Sequence, residues 1–264
     1  MEKRFLAPKE MIEATIASGK KKASLTLLQM LLLGLLAGIY IGFGVFASIT
    51  IMQTLKNIDV GLMKFAGAMV FPVGLMLVVI CGAELFTGNN LMVFSLLKKE
   101  IDGTALLRNW ITVYAANFVG SVLLAYLIAS GGYLQGSVRE LAISIGQNKM
   151  FSSFIVPLLR GILCNVLVVL AVMMATSSQD IISKIFSCWF PIMLFVLSGY
   201  EHSVANMFFL PLAKFGGLNV SWGEIFAKNL IPVTLGNIIG GAILVPLVYF
   251  AVYFGEEKNR DLKM

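Results

Sequence analysis

Long apolar stretches constrain this chain more than anything else in it. A membrane-spanning helix needs about 20 mostly apolar residues. Six stretches approach that length: about Leu25 to Met52, Leu62 to Ala83, Asn109 to Ala129, Phe154 to Ala175, Ile185 to the Glu201-His202 pair, and Ile231 to Phe254. Of the 264 residues, 58% are hydrophobic and 13% charged, whereas an ordinary globular protein is about a quarter charged. A soluble core of this size cannot hide that much apolar surface, and a bilayer can. The sequence therefore predicts an all-α integral membrane protein with six transmembrane helices.

The formal charge of +6 is read through topology and not as a nucleic-acid footprint, because Lys and Arg collect in cytoplasmic loops. Lys3, Arg4, Lys9, Lys20, Lys21 and Lys22 precede the first span. Lys98, Lys99 and Arg108 lie between the second and third, Lys184 between the fourth and fifth, and Lys258, Arg260 and Lys263 in the tail. With six spans these all share one side, which predicts cytoplasmic termini in the inner (cytoplasmic) membrane. The other side keeps Lys56, Lys64, Arg139, Lys149, Arg160, Lys214 and Lys228. The charged start, without a short apolar run and cleavage site, predicts no signal peptide. Pro8 to Gly19 reads as a short helix with Met11, Ile12, Thr15 and Ile16 on one face and Gly19 at its end. It is either an interfacial helix at the cytoplasmic mouth or a plain lead-in. The Lys20–Lys22 run reads as a headgroup anchor.

The chain also repeats itself. The second span breaks within Gly82–Asn90 and the fifth within Ser198–Asn206. Glu84 and Asn89 recur as Glu201 and Asn206, each 117 positions on. Asn109, Asn117 and Gly120 recur as Asn229, Asn237 and Gly240, each 120 positions on. Each copy holds three spans, an odd number, so the second must enter the membrane from the opposite side. The expectation is two inverted three-helix repeats, residues 25–131 and 150–254, in one transmembrane domain with an N-terminal amphipathic segment (1–24) and a tail (255–264). Inverted repeats are a recurrent plan of transport proteins. Irregular backbone at membrane depth is tolerated where it is buried in protein or lines a cavity. Glu84 and Glu201 are expected to accept from N–H groups freed by the breaks, and Asn89 and Asn206 to cap the half-helices that follow.

His202 is the sole histidine. An ionisable group inside a span is a functional hypothesis by default, and an imidazole exchanges protons near neutral pH. Asn165 is the strongly polar side chain within the fourth span. It lies 16 positions beyond Lys149, about 24 Å if that segment is one helix. Lys149 is either an anion-attracting charge at a mouth or a solvated loop charge. Leu75 and Phe195 read as core from composition alone. Cys81, Cys164 and Cys188 lie in apolar runs without C-x-x-C spacing, so neither a metal site nor a disulfide is expected. No phosphate-binding loop or dinucleotide fingerprint is present, so no cofactor is expected.

At Gly82–Asn90, at Glu201-His202-Ser203-Val204-Ala205-Asn206 and over the Pro8–Ala23 lead-in, the chain resembles the formate/nitrite transporter family. Within it, the sequence is similar to the bacterial hydrosulfide-conducting, sulfite-reduction-associated branch. The resemblance implies an aquaporin-like fold and a homopentamer with one pore per protomer. It implies that Thr87 faces His202, that Leu75 and Phe195 are apolar constrictions, and that Lys149, Asn165 and Asn206 attract and orient the anion. Glu84 stands where some members carry Asp. The implied function is not enzymatic: passage of hydrosulfide, with formate and nitrite as alternatives, His202 sharing a proton with the anion. A neutral-solute pore with Asn-Pro-Ala at both breaks is disfavoured, because the breaks read Thr87-Gly88-Asn89-Asn90 and Ser203-Val204-Ala205-Asn206. A membrane-embedded enzyme lacks a second catalytic group, and a sensor or scaffold leaves the costly polar breaks unexplained.

Overall fold

The structure, a computed structural model, describes residues 5–150 and 153–261, with side chains described as far as Gly255. Lys3, Arg4 and Lys263 lie outside the described residues, and Lys258 and Arg260 lie beyond the described side chains. Helix α1 (Pro8–Ala23) begins with proline in its first turn and buries Met11, Ile12, Thr15 and Ile16. That face packs against Leu91, Phe94, Val169 and Met173, so protein covers it. The helix does not stop at Gly19. A Cβ there would run into Ser95 Oγ and sit 3.4 Å from the Met92 Cα, so this glycine serves close approach and not termination. The chain before α1 is tied down as well, because Leu6 N–H donates to Ser177 O at 2.9 Å.

Helix α2 (Leu27–Met52) starts at Thr26, which exchanges hydrogen bonds with Gln29 in a capping box. Helices α3 (Val60–Val70) and α4 (Val73–Cys81) form one apolar rod, stepped at Phe71-Pro72. After the first break come α5 (Phe86–Asn89) and α6 (Val93–Leu97), then α7 (Gly103–Ser130). Helix α8 (Gly136–Met150) follows, an element the sequence reading did not foresee, and then α9 (Ile155–Ser177). Helix α10 (Ile181–Leu197) ends at the second break and α11 (Ser203–Phe215) leaves it. The last rod joins α12 (Trp222–Ile225), α13 (Ile231–Ile238) and α14 (Val245–Asp261) through π-helical turns at Phe226–Leu230 and Ile239–Leu244.

Among the described residues, five helices are long and apolar enough to cross a membrane: Leu27–Asn57, Val60–Cys81, Gly103–Ser130, Ile155–Ser177 and Trp222–Gly255. Helices α10 and α11 are shorter apolar helices. Helices α2, α7, α9, α10 and α14 expose large apolar side chains such as Leu28, Ile111, Leu159, Phe190 and Val252. In water so much exposed apolar surface is a liability; in hydrocarbon it is the matched surface of a membrane protein.

Glycines set the helix spacing. A Cβ at Gly120 would collide with Leu35 O, and one at Gly240 with Ile162 O. Thus α7 closes on α2, and the last rod closes on α9, at the same place in each copy. Both breaks are also made alike. Gly82 has φ +78° and Gly199 φ +71°, a conformation that favours glycine at a helix C-terminus. Ala83 N–H reaches back to Val78 O at 2.9 Å, and Tyr200 N–H to Phe195 O at 3.0 Å.

Candidate functional site

Each break is held by a buried asparagine amide from a neighbouring helix. Asn117 on α7 accepts from Phe86 N–H at 2.9 Å and donates to Gly34 O and Glu84 O at 2.7 and 2.9 Å. Asn237 on α13 accepts from Ser203 N–H at 2.9 Å and donates to Gly161 O and Glu201 O at 2.8 and 3.0 Å. These amides satisfy the freed backbone groups, which cost free energy if buried unpaired.

The expectation that Glu84 and Glu201 accept from freed N–H groups is therefore corrected. Their carboxylates bind side chains instead. Lys22 Nζ lies 2.5 Å from Glu84 Oε1, and Asn89 Nδ2 donates to Glu84 Oε2 at 2.7 Å and to Asn109 Oδ1 at 2.8 Å. Lys149 Nζ lies 2.7 Å from Glu201 Oε2, and Asn206 Nδ2 donates to Glu201 Oε2 at 2.6 Å and to Asn229 Oδ1 at 2.8 Å. Asn89 and Asn206 are thus members of these cages and do not cap the half-helices; the cap of α11 is His202 Nδ1, which accepts from Ala205 N–H at 3.0 Å. Lys22 is a cage member and not a headgroup anchor, while Lys20 pairs with exposed Glu100 at 2.7 Å. Lys149 is no loop charge. It ends α8, its side chain is 14% exposed, and its ammonium lies 5.0 Å from the centre of the Phe209 ring. Ser153 and Phe154 are not helical and α9 begins at Ile155, so Lys149 and Asn165 do not lie on one straight helix.

Two cavities open over these cages. One, of about 540 Å³, is lined by Lys21, Lys22, Leu75, Glu84, Asn89 and Lys184 among others. The other, of about 340 Å³, is lined by Lys149, Arg160, Phe195, Glu201, His202 and Asn206 among others. Where the breaks meet, Thr87 Oγ1 lies 2.8 Å from His202 Nε2, and both residues are buried. Since Nδ1 accepts from Ala205, Nε2 carries the proton of a neutral ring and Thr87 accepts it. The His202 ring stacks on Phe195 at 5.9 Å between centres, and Phe195 meets Phe71 edge-on at 5.5 Å. Leu75 is 2% exposed and Phe195 3%, so a packed apolar side chain lines each cavity there.

Asn165 ties the first break to Asn237, the asparagine that holds the second. Its Nδ2 donates to Asn237 O at 2.7 Å, to Asn90 Oδ1 at 3.1 Å and to Thr87 O at 3.3 Å. Three acceptors share two protons, while the buried Oδ1 has no protein partner. The same holds for Asn206 Oδ1. Such orphan acceptors call for a donor from a water or a ligand. Among the described residues no cluster of three or more His, Cys, Asp or Glu could hold a metal.

Residues 9–251 match the family described as "Formate/nitrite transporter". The chain belongs to the formate/nitrite transporter family. It is 42% identical to the "Probable formate transporter" of Methanothermobacter thermautotrophicus over 97% of this chain and 100% of that protein. Among solved structures it resembles an "FNT family ion channel", with TM-score 0.86 and 30% identity over 92% of this chain and 98% of that one. It also resembles a "Pentameric formate channel with formate bound", with TM-score 0.77 and 32% identity over 86% and 97% of the two chains. The chain is therefore a membrane transport protein of this family, whose members are channels and transporters and not enzymes.

Proposed function

We propose that this protein is a channel for small monovalent anions of weak acids, with formate as the principal substrate, working as a homopentamer with one pore in each protomer. The choice of formate over hydrosulfide, the preference expected from sequence, rests on the names of the relatives. Both the methanogen relative and the pentameric neighbour are named for formate, and none of these proteins is named for hydrosulfide. Nitrite and hydrosulfide stay as secondary substrates.

The observation that carries the reading is the paired arrangement of the breaks. Each presents a Lys–Glu–Asn–Asn cage to a cavity, and the buried Thr87–His202 pair separates the two. In this reading the chain has six spans, α10 being the fifth, with cytoplasmic termini in the inner membrane. The halves 25–131 and 150–254 are inverted, so the Leu75 cavity faces the cytoplasm and the Phe195 cavity faces outward. Glu84, Asn89 and Glu201 hold the broken helices. Lys149 draws the anion to the outer mouth.

A bare charge cannot pass the packed side chains of Leu75 and Phe195 cheaply, because a dry site offers little to replace its water. The same dryness raises the proton affinity of an anion. The anion takes the hydrogen bond of the neutral His202 ring, whose Nε2–H points to Thr87 at rest, sharing that proton without removing it; any proton that makes it the free acid enters with it from vestibule water, and Asn165 and Asn206 orient it. Their orphan oxygens suit a donor better than a bare anion: the O–H of formic acid or a water carried with it.

The test is initial flux into proteoliposomes of purified protein, at one pH, for formate, hydrosulfide, nitrite and glycerol. Formate flux well above glycerol flux is the expected result. Hydrosulfide flux without formate would overturn the substrate assignment, and glycerol flux alone would overturn the anion mechanism.

A further inference from the structure

The two cavities are alike in charge yet built from different residues. The cavity over Glu84 gathers Lys21, Lys22 and Lys184 around one carboxylate. The cavity over Glu201 gathers Lys64, Lys149 and Arg160 around one carboxylate. Each cage uses its lysine to neutralise its glutamate. In the second cavity Lys64 and Arg160 remain. Neither makes an ion pair or a side-chain hydrogen bond among the described residues, and both are exposed. Arg160 differs from Arg108 and Arg139, whose guanidinium groups each donate to a backbone carbonyl.

Its position is fixed by the break itself. Arg160 O accepts from Glu201 N–H at 3.3 Å, as Leu33 O accepts from Glu84 N–H at 3.2 Å. Arg160 and Leu33 thus occupy equivalent places in the two copies, and both line their cavities. One copy puts a leucine there and the other a guanidinium. Asn206, whose Oδ1 is an orphan acceptor, lines the same cavity and is fully buried.

We propose that Arg160, with Lys64 from the facing helix α3, forms a carboxylate-docking station in the outer vestibule, which takes the substrate by its two oxygens before Lys149 and His202 act. This rests on the formate reading above. A guanidinium offers two parallel N–H donors that match a planar carboxylate, whereas an ammonium is a point charge. Hydrosulfide has one charged atom and gains little from the fork. The station acts on one side only, because the equivalent wall of the other cavity is Leu33. It is a specificity-determining site for uptake and leaves the central passage unchanged.

The experiment measures uptake of external formate by cells that lack formate channels of their own and express this chain, with efflux from preloaded cells in parallel. Arg160→Leu installs the residue of the other copy and is compatible with the fold. It is expected to raise the half-saturating external formate about threefold, the scale of an exposed charge pair, with maximal uptake and efflux preserved. Arg160→Lys is expected to fall between wild type and Arg160→Leu, and hydrosulfide uptake to shift less than formate uptake. Superimposable uptake curves for wild type and Arg160→Leu would overturn the station. Equal shifts for formate and hydrosulfide would overturn its recognition of the carboxylate, and a shift in efflux alone its outward placement. Wild type without formate uptake would instead sink the formate reading, a failure visible before any variant is made.

Discussion

The two halves of the molecule share a frame and differ in what the frame presents. Asn117 and Asn237 make the same three bonds to their breaks. Asn109 and Asn229 each accept from the cage asparagine and donate to the backbone of the cage lysine, Lys22 O and Lys149 O. The copies part company at a few positions. Leu85 stands opposite His202, Thr87 opposite Val204, Gly38 opposite Asn165 and Leu33 opposite Arg160. Parts needed to hold an irregular backbone in an apolar medium occur twice. Parts with polar chemistry at the meeting point occur once. Thr87 and His202 can form one hydrogen bond only because each copy supplies a different partner.

The comparison breaks most visibly if a frame residue proves dispensable in one half. Asn117→Leu and Asn237→Leu each remove the side-chain partner of three buried backbone groups, and the N–H of Phe86 or Ser203, at the start of a half-helix, has no helix carbonyl to replace it, which costs about 2 kcal/mol or more. Thermal unfolding in detergent should show similar large losses for both; a near-neutral result for either would show that its break is held otherwise. Glu201→Gln comes next. It strands the ammonium of Lys149, 14% exposed, whereas Glu84→Gln strands that of Lys22, 26% exposed. Breaking a buried pair costs about 3 kcal/mol, and the loss shrinks with solvent access, so the same melting assay should find the Glu201 variant less stable. The reverse order would contradict the burial argument.

Thr87→Val gives the first break the residue of the second. One neutral hydrogen bond is worth about 1 kcal/mol, so Tm should move little while formate flux falls. A variant with unchanged flux would separate the Thr87–His202 bond from transport. The smallest effect is expected at Lys20–Glu100. The hydrogen bond from Lys20 holds the Glu100 carboxyl below its ordinary range. A lowered pKa contributes stability above the ordinary carboxylate pKa and loses it as pH falls through the lowered value. Glu100→Gln should leave Tm unchanged within error at neutral pH, and a clear loss there would mean that this surface tie between α1 and the α6–α7 connection carries more than its exposure suggests.

Much of this frame was legible because polar residues are rare in apolar stretches. Glu84, Asn89, Asn109 and Asn117 stand out against their neighbours, and their recurrence at constant offset marks the repeat. The partners were not legible. Lys22 meets Glu84 across 62 positions of sequence, and nothing in a run of three lysines tells which one turns inward. The offset of 127 that relates Lys22 to Lys149 and Gly38 to Asn165 differs from those of the breaks and later spans, so no single offset brings the first spans of the two copies into register. Asp59 and Asp180 cap α3 and α10 in the same way, a further correspondence that a capping signal could have revealed. Helix α8 was missed because its mixed, moderately polar sequence fits no span. Arg160 reads from sequence as a topology charge, since only the fold turns its helix face toward a cavity.

The most direct test of the account is formate flux in proteoliposomes at several pH values, for wild type and His202→Asn, each checked for intact assembly. If His202 shares a proton with the passing anion, wild-type flux rises as pH falls, and His202→Asn loses both that dependence and most of the flux. If the variant carries formate at the wild-type rate with the wild-type pH profile, the histidine is a packing residue and the proton-sharing passage is wrong.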